Sequence, residues 1–77
     1  MTDEQTKNLL DNVISKCEDL QQQGNPKAED FAFGIQETVE SMAKFFENTG
    51  YLTDKQIKSI HNMNYGIDRW ISTMNMR

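Results

Sequence analysis

The chain has 77 residues, 36% of them apolar and 26% charged, with one cysteine and a net charge of −4. A chain this short buries only about 60% of the surface its unfolded form exposes. That leaves room for one small core and excludes a doubly wound sheet, a TIM barrel or a self-contained multi-substrate enzyme.

The first helix is expected to start at Thr2. Thr2-Asp3-Glu4-Gln5 fits a capping box, in which the threonine hydroxyl takes the amide at the third helical position and the glutamine returns to the cap amide. Asp3 and Glu4 sit where the helix dipole favours negative charge. Leu10, Val13, Ile14, Cys17 and Leu20 then recur at helical spacing. The polar run Gln21-Gln22-Gln23 leads into Gly24, which suits the left-handed residue that closes a helix. Cys17 belongs to the apolar stripe and is read as a small core residue, reduced and inert. One cysteine makes neither an internal disulfide nor a cysteine cage for a metal.

Asn25-Pro26 marks the second start, a good cap followed by a proline whose missing amide is no loss at the first helical position. Ala28, Phe31, Ala32, Ile35, Val39, Met42, Ala43 and Phe46 lie within about 60° of one line down this helix. So regular a stripe marks it as the central helix of the fold, ending at Asn48-Thr49-Gly50. Gly34 is costly in a helix interior, and its expected use is to let a neighbouring backbone approach. Phe33 points to the opposite face, among Glu29, Gln36, Glu37 and Glu40, and Phe45 lies on the flank. An aromatic in a polar rim is the usual form of an interface anchor, which makes Phe33, Glu37 and Glu40 candidate contacts for a protein partner.

Gly50-Tyr51-Leu52-Thr53-Asp54-Lys55-Gln56 carries a second helix stop and a second capping box, Thr53 with Gln56. Leu52 and Ile57 are placed as the two halves of a hydrophobic staple. The third stripe is Ile57, Ile60, Ile67, Ile71 and Met74, widened by Met63 and Trp70. Gly66 predicts a kink or break near Asn64-Tyr65-Gly66, and Asn64, beside the stripe, needs a hydrogen-bond partner if buried. The reading is an all-α, compact three-helix bundle with helices over about 3–23, 26–49 and 53–75 in one domain, residues 1–77. Its thin core makes docking on a larger protein or homo-oligomerisation an ordinary remedy.

No apolar run approaches the roughly 18 residues of a membrane span, and the acidic start is unlike a secretory signal. A cytoplasmic protein without membrane contact is expected. Charge is uneven: residues 1–50 sum to −6 and residues 51–77 to +2. Catalytic and metal motifs are missing. There is no phosphate-binding glycine loop, no paired-histidine motif and no EF-hand loop. A Cys17–His61 dyad has no third group to orient it. The chain is read as non-enzymatic, with no cofactor.

One polar constellation remains. Lys58, Asn62, Tyr65 and Arg69 recur at helical spacing on the face of the third helix away from the isoleucines, bordered by Lys55 and His61. Cations and amides hold phosphate oxygens, and a tyrosine stacks on a base. So few cations give only weak DNA contact on their own. Protein docking and a plain solvated face are the other readings of the same residues.

From Phe45 to Ile71 the chain resembles a helix-turn-helix element of small proteins from T-even-like bacteriophages. Gly50, Tyr51, Leu52, Thr53, Lys55 and Gln56, followed by Ile57 and Ile60, carry the resemblance. The family it points to is the small helical accessory proteins encoded beside the UvsW recombination helicase. The resemblance implies an accessory of phage DNA recombination, repair or replication that acts in the host cytoplasm by binding a DNA-processing or host protein. It brings no catalytic residues with it. The alternative is a small acidic inhibitor of a host or defence protein, a nucleic-acid mimic with Phe33 at the centre of its acidic face.

Overall fold

A computed structural model describes residues 2–75 and consists of three helices, α1 (Asp3–Gln21), α2 (Pro26–Thr49) and α3 (Asp54–Asn75). Each begins as its local chemistry dictates. Before α1, the Gln5 amide donates to Thr2 Oγ1 at 3.1 Å and the Thr2 amide donates to Gln5 Oε1 at 2.9 Å, a complete capping box. Before α2, Asn25 Oδ1 accepts from the amides of Lys27 and Ala28 at 3.0 and 3.2 Å. Before α3, Thr53 and Gln56 repeat the box at 3.1 and 2.9 Å.

The helix ends are equally local. Gly50 has φ +79° and donates its amide to the Phe46 carbonyl at 2.7 Å, closing α2 in the left-handed conformation that glycine adopts without a steric penalty. Gly24 has φ +80°. The first helix stops at Gln21, two residues earlier than expected. The amides of Gln22 and Gln23 turn back to the carbonyls of Asp19 and Leu20, three residues upstream. This tightens the last turn before Gly24.

The long axis of the molecule is 41 Å and the two short axes are 18 Å. A 24-residue helix is about 36 Å long, so the three helices run nearly along that axis, each reversing into the next. The expected bundle is present, with a different centre. The element that packs most extensively on both others is α1, while α2 and α3 touch each other least. Thr6, Leu10, Val13, Cys17 and Leu20 of α1 are buried, against Ala28, Ala32 and Val39 of α2 and Ile60 and Ile67 of α3. Small residues form the buried part of α2, so it can sit close to α1. Its larger apolar side chains, Phe31, Ile35, Met42 and Phe46, lie on the margin and are half-buried.

The third helix runs through Gly66 without a break, so the interruption expected there does not occur. A single glycine costs a helix interior only about 1 kcal/mol, well within what packing on both sides supplies. The two helical glycines have also exchanged their expected roles. A methyl group on Gly34 would meet nothing within 4 Å, so no neighbour approaches it. On Gly66 it would lie 3.1 Å from Cζ of Phe31, and there the glycine admits the ring.

Asn64 has the partner it needs. Lys16 Nζ donates to Asn64 Oδ1 at 3.0 Å and pairs with Asp68 at 2.9 Å, bridging α1 to two residues one turn apart on α3. Leu52 is buried and Ile57 packs against the same core, as the staple requires. Among the described residues no buried side-chain polar atom is left without a partner. Arg77, part of the basic end of the chain, lies outside the described residues.

Candidate functional site

The continuous turn of α3 sets the geometry of its outer face. Ile60 and Ile67 anchor the inner face in the core, and at about 100° per residue Lys55, Lys58, Asn62, Tyr65 and Arg69 fall on the opposite side. All five are exposed, as is His61 beside them. The Arg69 guanidinium carbon stands 6.0 Å from the centroid of the Tyr65 ring, at the edge of cation–π range. Of the two carboxylates on α3, Asp54 lies at its N-terminus and Asp68 turns to Lys16. Between Lys55 and Arg69 the outer face therefore carries cations, an amide and a phenol ring.

The α2 residues form a separate surface. Phe33 is 56% exposed, and Glu29, Glu37 and Glu40 around it are exposed as well. Glu40 is held in place. Gln21 of α1 donates to Gln36 Oε1 at 2.6 Å, and Gln36 donates onward to Glu40 Oε1 at 2.8 Å. The two candidate sets lie on different helices and do not converge on one site.

Two clefts were not foreseen. One of about 340 Å³ lies between α2 and α3, lined by Phe31, Gly66, Arg69, Trp70 and Thr73. The Phe31 and Trp70 rings form its apolar wall with centroids 6.1 Å apart. Gly66, Trp70 and Thr73 share one flank of α3 at spacings of four and three, a pattern visible in the sequence. The partner ring from α2 was not, because it depends on how the two helices are set. The other cleft, about 470 Å³, lies where the start of α1 meets the end of α2. Its lining includes Leu10, Ala43 and Phe46, with Asp3, Glu4, Lys7, Asp11 and Glu47.

Cys17 is fully buried. Burial, with a smaller contribution from the charge of Glu18, pushes its thiol up to about 11, which keeps it protonated and unreactive. His61 is exposed, so the two do not sit together in a pocket. Among the described residues no group of three metal-ligating side chains comes together, and no helix is long and apolar enough to cross a membrane. Comparisons with protein families, with curated proteins and with solved structures return no match.

Proposed function

We propose that the chain is a non-enzymatic binding protein, an accessory to phage DNA recombination, repair or replication, whose working surface is the outer face of α3. The observation that supports this reading is the exposure of Lys55, Lys58, Asn62, Tyr65 and Arg69 in one stripe, whose neighbouring carboxylates are Asp54 at its N-terminal end and Asp68, paired with Lys16. Elsewhere the chain is acidic, so this stripe is where an anionic partner meets attraction. The cations reach phosphate oxygens, Asn62 adds a donor and an acceptor, and Tyr65 offers a ring for stacking. The partner is a DNA-processing protein or the DNA that such a protein carries.

Fluorescence anisotropy with single-stranded and branched DNA at low salt tests the direct form of this reading. Binding is expected to weaken with salt at a log–log slope of about −2 to −4, the value for so few phosphate contacts. Lys58→Glu combined with Arg69→Glu abolishes it while circular dichroism stays unchanged. No binding by the parent at tens of micromolar rules out direct DNA contact.

The acidic face of α2 favours a second reading, an inhibitor that occupies a host or defence protein in place of nucleic acid. Its support is the half-exposed Phe33 among Glu29, Glu37 and Glu40. Such a protein competes with DNA for its partner, and Phe33→Ala releases that partner while the α3 changes do not.

A further inference from the structure

Among the described residues, the exposed aromatic rings mostly have company: Phe45 stacks edge-on with Tyr51, and Tyr65 lies under Arg69. Phe33 is the exception, a bare phenyl ring 56% open to solvent and surrounded by carboxylates. The same molecule carries the matching recess. The cleft between α2 and α3 has an aromatic wall, Phe31 and Trp70, a cation at its rim, Arg69, and the edge of the Phe31 ring resting on Gly66 at its base. Its volume of about 340 Å³ is at the small end of the range for ligand pockets and admits a phenyl ring. No carboxylate lines it.

We propose that Phe33 of one copy seats in the Phe31–Trp70 cleft of another, so that the protein assembles head to tail. Charge selects this pairing. The glutamates around Phe33 approach Arg69, with Lys55 and Lys58 farther along the same α3 face, whereas acidic faces of α1 and α2 repel each other. Geometry sets the symmetry. Phe31 and Phe33 are two residues apart on α2, about 200° around the helix, so ring and recess open on nearly opposite sides. A single two-fold contact cannot use both rings and both recesses. Each added copy leaves one ring and one recess free, and the series either extends or closes as a ring of several copies. One anchoring ring with a few rim charges makes a small contact, and a dissociation constant of roughly 0.1 mM is expected. The proposal shares with the functional reading the view that these faces bind, but it does not depend on DNA.

Sedimentation of the full chain without DNA, from about 10 μM to 1 mM at low salt, brackets that affinity. The weight-average mass is expected to rise past the dimer and to fall back near 0.5 M salt, where the Debye length is below about 5 Å. Trp70, the only tryptophan, should shift its emission over the same concentration range. Phe33→Ala and Thr73→Glu change exposed residues at the ring and at the mouth of the recess, so both variants fold, and each alone stays monomeric. Mixed together they stop at the dimer, because the first keeps a working recess and the second a working ring. Phe33→Ala still binds DNA as the parent does, so failure of assembly and failure of the DNA reading are told apart. A parent that is monomeric throughout, an assembly that closes at two copies, or one that survives Phe33→Ala overturns the proposal.

Discussion

At the scale of single residues, the two helical glycines make opposite use of the same missing side chain. Nothing occupies the space beside Gly34, so Gly34→Ala removes only the entropic penalty and is expected to stabilise the fold by about 0.5–1 kcal/mol. In Gly66→Ala the new methyl group presses on the tip of the Phe31 ring at 3.1 Å, which offsets the same gain. Thermal melts should rank the Gly34 variant above the Gly66 variant. The reverse order would mean that Phe31 does not rest on Gly66.

Cys17 gives a second prediction at this scale. Its thiol is raised from 9.0 to about 11 by burial, so the unfolded chain releases the proton first as pH rises. Between pH 9.0 and about 11 the unfolded state thus binds fewer protons than the native state. Stability is full below that window and falls through it. Urea titrations across the window should show a loss of up to a few kcal/mol that Cys17→Ala, although less stable at neutral pH, does not share. A parallel decline in the variant would assign the alkaline loss to other groups.

At the scale of elements, the helix boundaries were legible because capping is local. Thr2 with Gln5 and Thr53 with Gln56 lie three residues apart and make the expected bonds, and Asn25 accepts from the amides of Lys27 and Ala28 just beyond Pro26. Thr53→Ala should cost about 1 kcal/mol in a melt. Gly50→Val should cost more, since a β-branched residue is held at φ +79°. Parental stability in both variants would mean that neither the left-handed Gly50 nor the Thr53 cap contributes to this turn. The identity of the central helix was not legible. A wide, regular apolar stripe such as that of α2 says which residues avoid water, not which helix lies between the other two. The narrower stripe of α1 is covered from both sides, and Leu20, Val13 and Cys17 are more deeply buried than Ile35 or Phe46. Leu20→Ala and Ile60→Ala are accordingly expected to cost about 2–5 kcal/mol, and Ile35→Ala distinctly less. Equal losses at the three positions would restore α2 to the centre. In the same way, the exposed stripe of α3 followed from its period, whereas the aromatic cleft required knowing that Phe31 faces Trp70.

At the scale of the whole molecule, the three helices are not equally bound to one another. The α1–α2 hairpin is extensively packed and joined by the short turn at Gly24-Asn25, while α3 is held mainly by α1, through Ile60, Ile67 and the Lys16 bridge. The consequence is a hierarchy in time. Contacts between neighbouring helices close short loops and form early, so the hairpin is expected to be the first unit to consolidate during folding, with α3 docking onto it. The native state should open in the reverse order. Under conditions that favour exchange from rare openings, amide protons in the middle of α3 should exchange with deuterium through a partial opening of lower free energy than those of α1 around Val13 and Cys17. Deuterium uptake followed by NMR would reveal this as two groups of protection factors. One uniform value would mean that the three helices come apart only together.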